Sequence, residues 1–390
     1  MASLVDMVEM MERLESKALH INPVSCVKVR NRNASCTRCA DACPSGAISI
    51  DKNVIDIEKN KCIACGTCSV VCPTDAIVFK KPEVDELREE IRRSAKLLDG
   101  TAVVVCERAI SHGVANMDVC AGVPCLSCVD MSVLVDAAAH GADTIALVDA
   151  DCKTCKLRKG VAHLDGVIEE AKELLEAWDK PVRFICGKEV PRLAQPWDSQ
   201  QMRGGVSRRG FFTDMKSQAK NAASEAFSAT MEVEMGIKKA PETLQSMLKA
   251  GNSGHLTQVN VPTHESMMDN LFEIGEPRPG IVIRSSHWGD LEFTPENCNL
   301  CGMCAMFCPS GALMRVVAEP EGKIVGFKKP RVEKLDAIEF RLADCVQCGL
   351  CEDVCMSKAL KVVDIVNAED IMEFEPRELK GTKTISSRMW

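Results

Sequence analysis

Apolar positions along this chain recur with two different periods. Near its start Leu4, Val8, Met11 and Leu14 are three or four residues apart, which predicts an amphipathic helix within residues 1–22. Between residues 100 and 190, short apolar runs at 101–105, 144–148 and 182–185 predict strands. Helical patterns alternate with them. Residues 131–140 read as a helix closed by Gly141, and Leu164, Val167, Ile168, Ala171, Leu174, Leu175 and Trp178 form one apolar stripe. Such alternation predicts a small parallel sheet, with ligands gathered outside the carboxyl ends of its strands. Residues 211–235 and 241–250 read as helices, whereas 252–289 is rich in loop signals, with Pro262, Pro277 and Pro279. The remaining apolar segments are short. No stretch approaches ~18 uninterrupted apolar residues, so no membrane span is expected.

Composition narrows the picture. At 390 residues with 46% apolar content, two or three domains with proper cores are expected. The chain has 23 cysteines, no tyrosine and only 4% aromatic residues, so bound metal is a candidate source of cohesion. A net charge of −8 gives no basic footprint for nucleic acid or an anionic membrane. Asp6, Glu9, Glu12 and Glu15 stand where an export signal needs a basic start and an apolar run. The mid-chain Ser207-Arg208-Arg209-Gly210-Phe211-Phe212 is followed by polar residues and reads as a linker, not a twin-arginine signal. The expected compartment is therefore the reducing cytoplasm, where many cysteines point to thiolate ligands rather than disulfides.

Sixteen of the cysteines fall into four runs. Three are regular: Cys62-x2-Cys65-x2-Cys68-x3-Cys72-Pro73, Cys298-x2-Cys301-x2-Cys304-x3-Cys308-Pro309, and Cys345-x2-Cys348-x2-Cys351-x3-Cys355, the last followed by Met356. The first run is stretched at its front, Cys26-x9-Cys36-x2-Cys39-x3-Cys43-Pro44. Each run ends alike, in a turn that opens an apolar segment at Ala47-Ile48, Ala76-Ile77, Ala312-Leu313 or Ala359-Leu360. Such self-similarity marks a duplicated unit. The spacing suits a cubane cluster. Two-residue gaps let one curled loop present three sulfurs, while the fourth cysteine, a turn later, serves the neighbouring cluster. On that rule set A is Cys36, Cys39 and Cys72 with Cys26 as displaced fourth ligand, and set B is Cys62, Cys65, Cys68 and Cys43. Set C is Cys298, Cys301, Cys304 and Cys355; set D is Cys345, Cys348, Cys351 and Cys308.

These runs resemble bacterial two-cluster ferredoxins, which implies two 2[4Fe–4S] modules and four [4Fe–4S] clusters. The first run, Cys26-x3-Arg30-x5-Cys36-Thr37-Arg38-Cys39-x3-Cys43-Pro44, resembles accessory ferredoxins of nitrate reductase and related polyferredoxins, where the first ligand is similarly displaced. A cluster held by three cysteines, with Cys26 as a buried thiol, is the alternative. Thirty-six residues separate Cys308 from Cys345, against eighteen between Cys43 and Cys62, and the excess around Pro320 and Pro330 reads as an inserted hairpin.

Seven cysteines lie in the middle. Cys106, Cys152 and Cys186 follow predicted strands, Cys125 and Cys128 precede a helix, Cys155 completes Cys152-x2-Cys155, and Cys120 stands apart. Pro124-Cys125-x4-Asp130, His140-Gly141-Ala142-Asp143 and Asp151-Cys152-x2-Cys155 resemble the delta subunit of methyl-viologen-reducing hydrogenases. That resemblance implies a fifth iron–sulfur centre on Cys106, Cys125, Cys152 and Cys155, and a flavin protein as partner. Zinc on Cys152/Cys155 and Cys125/Cys128, a redox disulfide, or thiols without metal are the competing readings. His255, His264 and His287 are isolated and read as surface or packing residues.

The expected architecture is α+β and multidomain: an amphipathic helix (1–22), a ferredoxin-like module (23–82), an α/β domain (83–190), a helical and loop linker that docks a partner (191–290), a second module (291–368) and a tail (369–390). No phosphate-cradling glycine loop or catalytic triad emerges, so no catalytic site of its own is expected. The function expected is a polyferredoxin-like electron-transfer subunit between catalytic subunits of a cytoplasmic oxidoreductase complex, of hydrogenase, formate dehydrogenase or heterodisulfide-reductase type. An assembly factor for a metalloenzyme and a thiol redox sensor are the alternatives.

Overall fold

The computed structural model describes residues 18–51, 53–155, 157, 160–196, 256–317 and 335–382. The start of the amphipathic segment, the helices expected at 211–235 and 241–250, His255, the tip of the hairpin insertion and Trp390 lie outside those residues.

Four short strands open the described chain: β1 (Leu19–Ile21), β2 (Ile48–Asp51), β3 (Val54–Ile57) and β4 (Ile77–Phe79). β1 pairs antiparallel with β4 and β2 with β3, giving two ribbons. Alternation sends Leu19, Ile21, Ile48, Ile55, Ile57 and Ile77 inward, where they bury together with Cys39 and Cys68. This core is small, and ligand cysteines are part of it.

Helix α1 (Val84–Leu97) leads into the middle domain, followed by β5 (Thr101–Cys106), β6 (Ala121–Val123), α2 (Met131–Ala139), β7 (Thr144–Val148), α3 (Leu164–Ala177) and β8 (Arg183–Gly187). The four strands form a parallel sheet in the order β6-β5-β7-β8. Ala102, Val103, Val104 and Val105 of β5 are fully buried, as an interior strand covered on both faces requires. Helix α2 starts on Asp130, whose carboxylate accepts the Val133 N–H at 3.0 Å. Asp136 of α2 is completely buried and is held by Arg92 of α1, Nε to Oδ2 at 2.8 Å.

Residues 252–289, expected to be loop-rich, contain a regular helix, α4 (Pro262–Ile274). Pro262 stands in its first turn, where a missing N–H costs nothing, and Met267, Asn270, Leu271 and Ile274 recur at helical spacing. The other two prolines fall beyond its end. α4 packs on α2, and the chain continues through β9 (Val282–Arg284) into the second module.

That module contains β10 (Asp290–Phe293), β11 (Leu313–Val317), β12 (Leu335–Phe340), β13 (Leu360–Val363), β14 (Ile365–Asn367) and β15 (Arg377–Leu379). β10 pairs antiparallel with β13 and β11 with β12, repeating the two ribbons of the first module. The long insertion extends from β11 and β12, which form its arms. Two additions distinguish the copy: β14 pairs with β9, and β15 adds a third strand beside β12. The segment read as a tail therefore contributes a strand to this module.

Candidate metal centres

The ends of the four cysteine runs share one backbone. The third residue after each last cysteine is left-handed: Gly46, Asp75, Gly311 and Lys358 have φ of 62°, 47°, 83° and 50°. That turn aims the next N–H back at the sulfur in three of them. Ala47, Ala76 and Ala359 donate to the Sγ atoms of Cys43, Cys72 and Cys355 at 3.2, 3.3 and 3.2 Å. The three regular runs also share their fronts. Ala64, Leu300 and Gln347, each before the second cysteine, are left-handed, as are Gly66, Gly302 and Gly349 just after it. The first run differs here. Thr37 stands in the place of Gly66 with φ −131°, and Cys26 precedes an inserted helical turn, Val27–Arg30.

Cysteines of paired runs lie near one another. Cys26 and Cys39 have Cys36 and Cys72 as close electrostatic neighbours. Cys68 faces Cys65, Cys43 and Cys62, together with Cys39 of set A. Cys304 faces Cys301, Cys355 and Cys298. Cys308, Cys345, Cys348 and Cys351 line one cavity. Among the described residues no three His, Cys, Asp or Glu side chains converge as a single metal ion requires. The thiols stand round shared spaces instead.

Burial, with neighbouring thiols adding to it, pushes the Cys26 thiol up to about 11 and that of Cys39 to about 12. Burial likewise moves Cys345 to about 12 and Cys304 and Cys348 further upward. Such crowded thiols ionise only against a compensating positive charge, which iron supplies. Converging sulfurs, backbone N–H donors aimed at them and a pocket that disfavours bare thiolates together fit a cubane cluster.

In the middle domain, Cys106, Cys125, Cys152 and Cys155 line a single pocket with Arg108, Pro124 and Asp149. Topology explains the convergence. Cys106 ends β5, Cys125 lies two residues beyond β6, and Cys152 lies four beyond β7, all at the carboxyl edge of adjacent parallel strands. Leu157 N–H approaches Cys155 Sγ at 3.4 Å, and Cys152 Sγ lies 3.7 Å from the Asp149 carboxylate. Burial, then Asp149, raises the Cys152 thiol to about 11. The remaining thiols lie elsewhere: Cys120 is buried in the hydrophobic core, Cys128 is buried against Gly66, and Cys186 is exposed.

A family model, the 4Fe-4S dicluster domain, matches residues 34–76 and 297–359. Both end modules are thus iron–sulfur domains, and electron transfer follows as their broad function. The matches imply [4Fe–4S] clusters and take in every run cysteine except Cys26, which precedes residue 34. They leave the middle domain uncovered. Comparison with curated proteins gives no match. No helix among the described residues is long and apolar enough to cross a membrane.

Contacts between the sites carry no sequence signal at all. Val27 and Ala34 of the first run bury against Leu350 and Val354 of the fourth, with Cys36 and Cys348 packed beside them. Arg38 donates to the Gln347 carbonyl at 2.9 Å, and the Ser35 hydroxyl to Asp353 at 2.9 Å. On the other side Cys65 and Cys125 bury together, and the Ser127 hydroxyl donates to the Cys65 carbonyl at 2.7 Å.

Proposed function

We propose that the chain is an electron relay with five iron–sulfur sites in the spatial order middle pocket, set B, set A, set D, set C. The contiguity of the thiol sets carries this reading. The middle pocket touches set B through Cys125 and Cys65, set B meets set A through Cys68 and Cys39, set A meets set D through Cys36 and Cys348, and Cys351 of set D neighbours Cys304 of set C. Iron–sulfur clusters supply one-electron storage at potentials tuned by burial and by hydrogen bonds to sulfur.

The protein's part is to fix spacing and surroundings. Ala47, Ala76 and Ala359 place N–H donors on ligand sulfurs. Arg30, buried between the modules, carries its charge near Cys308 and Cys348. Cys26 completes set A, and Cys106, Cys125, Cys152 and Cys155 hold the fifth centre. Catalytic subunits of a cytoplasmic oxidoreductase complex, a flavin protein among them, are the partners this reading calls for. The resemblance of the middle domain to the hydrogenase delta subunit supports that choice, and the four thiols lining one pocket support the fifth centre.

Iron and sulfide analysis of anaerobically prepared protein, with EPR of the reduced state, tests the count. About sixteen irons belong to four cubanes, and about eighteen to twenty to a fifth centre as well. The paired change Cys125→Ser and Cys155→Ser is expected to remove the excess alone. About eight irons with stoichiometric zinc would overturn the reading.

A further inference from the structure

A cavity of about 580 Å³ opens where both end modules, the parallel-sheet domain and α4 meet. Its volume falls in the range of small-molecule sites. Two of its walls belong to the relay. Cys72 is itself a member of set A and Pro73 follows it, while Val346 and Gln347 lie between Cys345 and Cys348 of set D.

A third wall is built for protons. His287 Nδ1 lies 3.5 Å from Glu170 Oε1, and the Ser286 hydroxyl donates to Glu170 Oε2 at 2.6 Å. Burial alone would raise the Glu170 carboxyl, but the bonds from His287 and Ser286 outweigh it and hold the group below its ordinary range. His264 also lines the cavity, and its Nε2 sits 2.7 Å from the Ala343 carbonyl. A carbonyl only accepts, so Nε2 carries the hydrogen and Nδ1 keeps a lone pair. That Nδ1 is buried and closed to the cavity's contents, so His264 is a fixed part of the wall rather than a ligand contact.

The lining also selects by charge and shape. Asp41, Asp75, Asp130 and Glu170 outnumber Arg38, whose guanidinium is taken by the Gln347 carbonyl at 2.9 Å. Phosphates and carboxylates are repelled by such a wall. Val70, Val71, Val167, Val261 and Val346 supply apolar faces suited to a flat ring.

We propose that this cavity binds an uncharged quinone-class molecule beside sets A and D, with His287, held by Glu170, handling its protons. The proposal rests on the iron–sulfur reading above. Conversion of a quinone to its quinol takes two electrons and two protons: each carbonyl oxygen gains a hydrogen and the ring becomes aromatic. The electrons come singly from reduced iron–sulfur centres, which carry no protons. Both protons pass through His287, re-protonated from solvent between them, while Glu170 holds the His287 imidazole in place.

Calorimetric titration of the anaerobic, cluster-loaded full chain with menadione tests binding, with phosphate-bearing FMN as counter-probe. Saturation near about one menadione per chain and no heat from FMN are expected. His287→Gln should leave binding intact and slow reoxidation of the reduced protein by menadione about a hundredfold. Reoxidation by ferricyanide, which takes one electron and no proton, should be unchanged. Full iron content without saturable menadione binding sinks the cavity proposal alone, as does preference for FMN or equal slowing with both oxidants. Iron far below about sixteen per chain sinks the relay reading beneath it.

Discussion

At the scale of single residues, backbone handedness matters as much as the thiols. Gly66 has φ +83°, and a Cβ there would lie 2.4 Å from Cys128 Cβ, so the glycine is required by the close approach of set B to the middle domain. Gly66→Ala is expected to cost about 2–5 kcal/mol, the backbone and overpacking costs together, read as a drop in Tm. Gly46→Ala, with φ +62° but nothing within 4 Å, should carry only the backbone term of about 1–2 kcal/mol. His264 gives a pH signature. Burial lowers its pKa from 6.5 to about 4, so the fold favours the neutral ring. Its contribution is fully present above pH 6.5 and is lost as pH falls from there through about 4. Chemical denaturation across that window should show stability falling with acid, and His264→Gln should flatten the slope.

At the scale of elements, the departure of the first run has a structural explanation. The residues inserted between Cys26 and Cys36 form a helical turn and a loop, and they dock on the other module. Val27 and Ala34 meet Leu350 and Val354 and Ser35 meets Asp353, while Arg30 ties its own loop to the segment before α4 by donating to the carbonyls of Val24 and Thr257 at 3.2 and 3.0 Å. The displaced cysteine is thus the consequence of a docking surface placed inside a ligand loop. Arg30→Ala leaves two carbonyls without that donor and should cost about 1–3 kcal/mol. Hydrogen exchange should then accelerate in Leu350–Val354 while iron content is kept. A loss of iron without faster exchange would instead make Arg30 a determinant of the cluster.

At the scale of the whole molecule, cohesion is divided unequally. The middle domain has an aliphatic core that includes fully buried Val103, Val104, Val135, Ile145 and Leu175, enough to expect it to fold without metal. The first module buries a handful of isoleucines around Cys39 and Cys68 and depends on what those thiols bind. Stripping iron with a chelator under reducing conditions should therefore abolish exchange protection in β1 to β4 and leave β5 and β7 protected. The sequence by itself determined the ligand chemistry and the local loops, because cubane ligation demands fixed spacings and adjacent sulfurs are chain neighbours. It also marked three of the four parallel strands, since buried strands are continuous apolar runs. It could not mark β6, three residues with a glycine at the centre, nor α4, whose pattern is masked by flanking prolines. The resemblance of the middle segment already grouped Cys106 with Cys125, Cys152 and Cys155; tertiary structure alone decided the order of the sites and the cavity at the domain junction. Those depend on which surfaces dock, and docking joins residues such as Arg38 and Gln347 whose distance along the chain leaves no periodic trace.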